Sequence, residues 1–127
     1  MNWYFEVIKK YAVFTGRSRR EEFWMFHVVD LILFLVISVI AVNVNNQLQD
    51  LIIYFVMFYI FGLFLPRIGV MVRRFHDIGY SGWLSLIVLI PFLGVIVIIV
   101  FMSTEGTKGG NKYGPNPKLR VKYVAPE

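Results

Sequence analysis

The chain contains no cysteine, which excludes disulfides, thiol nucleophiles, iron–sulfur ligation and cysteine zinc sites. Histidine is nearly as scarce: His27 and His76 are the only two, and a metal site needs three or four ligands. Charged residues make up 17% of the sequence, and the basic ones outnumber the acidic by 13 to 8. No nucleophile elbow, phosphate-binding loop, nucleic-acid motif or tandem repeat occurs. No small-residue cleavage site follows the first apolar stretch, so a secretory signal is not expected. No cofactor is expected either.

What the chain has instead is apolar length. It is 57% hydrophobic and 17% aromatic, with a mean hydropathy of +0.64, well above a soluble domain of this size. Three runs carry this character: Phe23–Val42, Leu51–Val72 and Trp83–Met102. A helix needs about 20 residues to cross a hydrocarbon core roughly 30 Å thick. The third run supplies that length without a charge. The second reaches it only by including Pro66 and Arg67, and the first only by including His27 and Asp30. The expected fold is therefore an all-α integral membrane domain, 1–127, with transmembrane helices at 23–42, 51–72 and 83–102.

Residues 2–14 place Trp3, Tyr4, Val7, Ile8, Tyr11 and Phe14 on one helical face, with Glu6, Lys9 and Lys10 largely opposite. That pattern suits an amphipathic helix at the membrane interface, and the alternative is a helix docked on the bundle by the same face. Ser18 and Glu21 have the spacing of a capping box ahead of the first span. The loop Asn43–Asp50 contains no lysine or arginine, whereas the N-terminal flank and the loop 73–82 are basic. The positive-inside rule accordingly puts the N-terminus and the second loop in the cytoplasm. Three spans leave the tail, 103–127, outside together with its five basic residues, in conflict with that rule. A re-entrant hairpin at Pro91 and Gly94 removes the conflict, but a turn facing lipid leaves backbone groups unsatisfied. Three spans with an external, turn-rich tail is the expectation.

Charges within the apolar runs are the candidate sites. At a rise of ~1.5 Å per residue, Asp30 lies about 10 Å and Arg67 about 9 Å in from the same membrane face. The two are expected to pair, directly or through His27 or water, with Pro66 kinking the helix beside Arg67. Gly62 and Gly69 allow close helix approach. Arg17, Arg19, Arg20, Arg73 and Arg74 are expected to ring the cytoplasmic face at headgroup height, attracting anionic lipid. His76 and Asp77 are a poor metal or acid–base signal; Asp77 and Gly79 fit a turn, Ser81 a helix cap and Trp83 an interfacial anchor.

The stretches FTGRSRREEFW, LPRIGVMVRRFHDIGYSGW, IPFLG and GTKGGNKYGPNP together resemble the YhaH-like bacterial inner-membrane family (domain of unknown function 805). The resemblance covers nearly the whole chain. By position it singles out Gly16, Arg17, Arg20, Glu22 and Trp24, then Arg73, Arg74, His76, Asp77, Ser81, Gly82 and Trp83. In the tail it singles out Asn111, Tyr113, Gly114 and Pro117, with Lys112 where arginine is usual. It implies a small polytopic inner-membrane protein with no established activity.

The expected role is thus non-enzymatic: an inner-membrane component, N-terminus cytoplasmic, interacting with anionic headgroups, a membrane-protein partner or further copies of itself, and not with nucleic acid. Its candidate belt is Arg17, Arg20, Glu22, Arg73, Arg74, His76 and Asp77, the two carboxylates orienting the arginines. The alternative is a subunit of an oligomeric transporter or ion-conducting assembly that uses Asp30 and Arg67.

Overall fold

The computed structural model describes residues 3–120. Asn2, the first residue of the expected amphipathic helix, and the tail beyond Arg120 lie outside the described residues. The elements run α1 (Trp3–Lys9), α2 (Arg20–Asn43), α3 (Asn46–Gly62) and α4 (Phe64–Asp77), then a 3-10 helix (Gly82–Leu89), α5 (Leu93–Ser103) and the single turn α6 (Pro117–Arg120). Among the described residues no strand forms beyond one isolated bridge between Asn111 and Gly114.

Two arms have the length and composition to cross a membrane: α2, and the stretch Asn46–Asp77 made of α3 and α4. A tight connection joins them, and the Asn45 side chain accepts from the Leu48 N–H at 3.2 Å to start α3. The second arm is divided at Leu63, within one turn of Pro66. Pro66 has no N–H to offer the Gly62 carbonyl, so one hydrogen bond is missing from the ladder. Leu63 N–H to Tyr59 O (3.0 Å) and Arg67 N–H to Leu63 O (3.1 Å) carry the helix across the gap. Gly69 lies against the Val13 carbonyl, 3.5 Å from where a Cβ would sit, but a Cβ on Gly62 meets nothing within 4 Å. Close approach is therefore a property of Gly69 and not of Gly62.

The outward faces of both arms are apolar and bare: Val42 and Phe58 are each 76% exposed. An unbroken apolar surface of that extent fits hydrocarbon as its solvent. The buried core is small and lies at one end, where Val7, Phe23, Phe26, Val70, Met71, Phe75 and Met102 pack together. The amphipathic helix α1 contributes Val7, with Tyr4 and Ile8 packed beside it. It is shorter than the expected 2–14, ending at Lys9, and Tyr11 and Phe14 leave its face to become exposed. The carbonyls of Lys10 and Val13 accept from the Arg73 guanidinium instead of continuing a helix. The capping box also fails to form. The residue flanking α2 is Arg19, no side chain caps the helix, and Ser18 Oγ is buried without a hydrogen bond.

The third apolar run is the main departure. It is not one helix over 83–102: the chain goes in along the 3-10 helix, turns at Ile90–Phe92 and returns along α5. Both ends of the run meet the end of α4. A Cβ on Gly82 would lie 2.6 Å from the Val72 side chain, and the Met102 carbonyl accepts from Arg74 Nε at 3.3 Å. The eight-residue 3-10 arm and the eleven-residue α5 are each about 16 Å long, half of a ~30 Å hydrocarbon core. The described part of the tail, 103–120, consequently sits at the same end as residues 10–20 and 73–82, where three uninterrupted crossings would have separated them.

The turn is built so that little of its backbone goes unpaired in lipid. Ile90 N–H donates to Ile87 O (3.0 Å), Leu93 N–H to Pro91 O (2.7 Å) and Gly94 N–H to Ile90 O (2.8 Å), and Pro91 has no N–H to satisfy. The cost is local: Phe92 adopts φ 62°, a left-handed conformation unfavourable for a bulky residue. Gly94 lets the arms close, since a Cβ there would stand 2.4 Å from the Ile87 carbonyl oxygen. Gly94→Ala should therefore destabilise the protein by about 1–3 kcal/mol through overpacking, while Gly62→Ala, which meets no neighbour, should not. Thermal unfolding of the two purified variants in detergent measures the difference; equal midpoints would refute the close-approach role of Gly94.

Candidate functional site

At the end where the hairpin, the second loop and the tail converge, the structure forms a polar cap around Arg17, Arg74 and Asp77. Arg17 precedes α2, Arg74 and Asp77 are one turn apart near the end of α4, and the segment 104–114 wraps over them. Arg17 Nε donates to Asp77 Oδ1 at 2.9 Å, and Arg74 Nη1 donates to Asp77 Oδ2, so one carboxylate serves two guanidiniums. The side chains of Arg17 and Arg74 are 1% and 0% exposed. The charge left over is stabilised by backbone dipoles. Arg17 Nη1 donates to Gly109 O (2.7 Å) and Gly114 O (3.3 Å), and Nη2 to Thr107 O (2.7 Å) and Asp77 O (3.4 Å). Arg74 donates to Met102 O and Thr104 O, the unpaired carbonyls at the C-terminal end of α5, where a cation also suits the helix dipole.

Local geometry explains why these groups meet. Tyr80 N–H donates to Phe75 O and Gly79 N–H to His76 O, a Schellman ending for α4 with Gly79 at φ 88°. The chain thereby reverses into the hairpin and leaves the Asp77 carboxylate facing Arg17. Asp77 is thus less a turn former than the hub of the cap. Gly106 passes so close that a Cβ would stand 2.0 Å from Asp77 Oδ2. Thr107 N–H and Oγ1 both donate to the Asp77 carbonyl, at 2.9 and 3.1 Å. Asn111 Nδ2 donates to His76 O (2.8 Å), and the His76 ring stacks on Tyr113 with centroids 3.8 Å apart. His76 Nδ1 lies 3.1 Å from the Gly16 carbonyl, which requires a proton on that nitrogen. The histidine is a staple between three segments, with no nucleophile or carboxylate poised on it for catalysis.

A second cluster lies behind the first. Arg73 holds the Lys10 and Val13 carbonyls, while Glu22 Oε1 is 3.6 Å from both Arg73 Nη2 and Lys10 Nζ. Those separations are too long for hydrogen bonds, so the attraction is Coulombic. A third site lies deeper. Arg67 Nε and Nη2 approach Asp30 Oδ2 at 2.9 and 2.8 Å, and Tyr59 Oη donates to Asp30 Oδ1. Asp30 and Arg67 therefore touch directly. His27 is not part of the pair; its Nδ1 contacts the Phe23 carbonyl at 2.9 Å.

Of the expected belt, Arg17, Glu22, Arg73, Arg74 and Asp77 are buried and turned inward, so they do not form a ring at headgroup height. Arg20 and Arg19 remain at the rim. Arg20 Nη1 reaches the Ser103 carbonyl at 3.4 Å, and Arg19 donates to the Pro117 carbonyl and lies over the Trp3 ring. With Lys108, Lys118, Glu105 and Asn116 they line a cleft of about 110 Å³. Glu105 is paired with Lys118 at 2.6 Å, and the ammonium holds its carboxyl below the usual range. Among the described residues no group of three or more potential metal ligands converges. Tyr59, Thr107 and the Gly109 carbonyl carry site contacts that the residue pattern did not single out. Backbone acceptors leave no residue-type signature, and tyrosine is common at any depth.

These features define a small, all-helical integral membrane protein whose spans and apolar hairpin are tied together in one arginine-centred cap. The chain belongs to the family described as "Protein of unknown function (DUF805)", whose model matches residues 11–115 and so contains the whole cap from Arg17 to Gly114. It is 42% identical over 119 residues to inner membrane protein YhaI of Escherichia coli (strain K12), covering 94% of this chain and 98% of that protein. To inner membrane protein YhaH of the same organism it is 41% identical over 119 residues, with the same coverage. No solved structure matches. The relatives' names place them in the inner membrane and state no activity.

Two outcomes follow from the cap. Asp77→Asn leaves two buried guanidiniums without their counter-charge, a loss of about 3–5 kcal/mol, and Gly106→Ala should act likewise by displacing the carboxylate. Faster limited proteolysis at Lys108 and Lys112, with a lower melting midpoint, is the expected reading, and Gly110→Ala should behave as the native chain. The second outcome concerns pH. Burial, assisted by the nearby Lys112, pushes the His76 imidazole below its ordinary value of 6.5 despite its contact with the Gly16 carbonyl. The unfolded chain then binds the proton more readily, so stability is intact above 6.5 and falls as pH drops through and below it. His76→Gln should flatten that decline in melts recorded between about pH 7.5 and 5.

Proposed function

We propose that this chain is a non-enzymatic inner-membrane component with both its N-terminal segment and its tail in the cytoplasm, and that it engages anionic phospholipid headgroups at the rim cleft. The observation that carries the reading is the cleft between α2 and the tail, where Arg19, Arg20, Lys108 and Lys118 converge with two carboxylates, the exposed Glu105 and the buried Asp77, which is already paired with Arg17 and Arg74. Five cationic or polar groups around a small space suit a phosphate, and the inward arginines shape the cleft without offering their own donors. Orientation rests on charge. With the hairpin returning to its starting side, the basic segments before α2, at the C-terminal end of α4 and after α5 share one end, and Asn43–Asp50 at the other has no lysine or arginine.

The rival, an ion-conducting assembly built on Asp30 and Arg67, has less support. Both Asp30 carboxylate oxygens already accept from Tyr59 or Arg67, which suits a locking pair better than an exchanging site.

A C-terminal fusion to a reporter that fluoresces only in the cytoplasm should be bright, and an external tail would overturn the orientation. For the headgroup, detergent-solubilised protein titrated with short-chain phosphatidylglycerol should bind it in preference to phosphatidylcholine. At about 1 kcal/mol per basic residue, Arg20→Ala with Lys108→Ala should weaken that binding roughly ten- to thirty-fold. Lys112→Ala, exposed but outside the cleft, should have little effect. Equal losses from all three substitutions would mean general electrostatic attraction and no headgroup site.

A further inference from the structure

The two spans and the hairpin line an open apolar cavity of about 620 Å³. Its walls come from four elements: Trp24 and His27 on α2, Ile68 on α4, Leu86 on the 3-10 helix, and Val95 and Ile98 on α5. The volume falls within the range of small-molecule sites. Three polar side chains border it: Arg67 is bonded to Asp30, His27 contacts its own helix carbonyl, and Ser85 adds one small hydroxyl to an otherwise apolar wall. A hydrocarbon occupant is what such a lining selects.

Position says which hydrocarbon. Arg20, Trp24 and His27 follow the i, i+4, i+7 spacing of one helix face, so cleft and cavity lie along the same side of α2, about 10 Å apart. On the opposite wall, the Ser103 carbonyl that Arg20 contacts lies one turn above Ile99, another cavity residue. A molecule with a phosphate in the cleft and an apolar chain descending between α2 and α5 satisfies both. We infer that the cavity holds one acyl chain of a membrane glycerophospholipid from the cytoplasmic leaflet, a conclusion that rests on the headgroup reading for its choice of lipid.

Trp24 in the cavity wall provides the test. In the full chain with Trp3→Phe and Trp83→Phe, Trp24 is the sole tryptophan, and bromine on an acyl chain quenches it on contact. The protein is reconstituted in phosphatidylcholine containing increasing fractions of mid-chain-brominated phosphatidylglycerol, and in parallel with brominated phosphatidylcholine. Quenching by the brominated phosphatidylglycerol should saturate at a fraction well below that expected for random boundary lipid. Val95→Phe or Leu86→Phe, each filling the cavity from an exposed position, should abolish that early saturation. Arg20→Ala with Lys108→Ala should shift it to higher fractions.

If both brominated lipids saturate equally early and respond only to the cavity-filling variants, the chain site stands and the headgroup reading falls. Quenching that simply tracks the bulk bromine fraction in every variant would overturn the inference. So would an unquenched Trp24 accompanied by a stable dimer, which would give the cavity to a second copy.

Discussion

The Asp77 carboxylate, shared by Arg17 and Arg74, is the interaction on which the rest of this structure depends. Burying two guanidiniums against one carboxylate is unfavourable by itself, because each charge loses its hydration. The arrangement is stable because backbone carbonyls from the tail, α4 and the end of α5 accept the remaining donors. Four of those six carbonyls, of Thr104, Thr107, Gly109 and Gly114, belong to the segment after α5. The same bonds that stabilise the charges therefore fix the path of the tail and anchor the returning arm of the hairpin. Removing the carboxylate would release both at once.

The hairpin and the cap need each other. A half-length apolar excursion into lipid is tolerable only if its turn pairs its backbone groups and both ends are held. The first condition is met within the turn by Ile87, Ile90, Pro91 and Gly94. The second is met outside it, since α5 ends on carbonyls that Arg74 and Arg20 cap, and the 3-10 helix starts from the Schellman ending of α4. The left-handed Phe92 is the strain this leaves, placed at the tip where an 85% exposed ring can lie in hydrocarbon.

Much of this was legible in the sequence, and the parts that were not share a cause. Counting residues placed Asp30 and Arg67 at one depth, and they touch, because helical rise converts sequence into depth reliably. Pro66 stands within one turn of the break between α3 and α4 for a reason equally local. The third run differs from its expected single span because length and apolarity are the same for one full span and for two half-spans. The choice was made by a close approach at Gly94 and by partners far along the chain. The unequal charge distribution did carry the answer, as the external tail conflicted with the positive-inside rule. The motif residues Arg17, Arg74, Asp77 and Asn111 were visible as a set. Their direction was not, since an arginine beside a membrane looks the same whether it faces headgroups or carbonyls.

That difference in direction changes what the positive charge is for. Thirteen basic residues suggest a broad electrostatic attraction to anionic lipid, but Arg17 and Arg74 spend their donors inside the protein, Arg73 is buried beside Glu22 with its Nη1 on backbone carbonyls, and Arg67 is tied to Asp30. Four cations are left at the rim, Lys108 among them, and the other three are held in place: Arg19 by the Pro117 carbonyl and the Trp3 ring, Lys118 by Glu105, and Arg20 by Ser103. A diffuse belt attracts any anionic surface in proportion to its charge. A small set of positioned cations above an apolar cavity can instead distinguish one molecule from the bulk of the leaflet, because head and chain must both fit at a fixed separation. The buried arginines supply that separation by fixing where the tail ends of the cleft stand over α2 and α5.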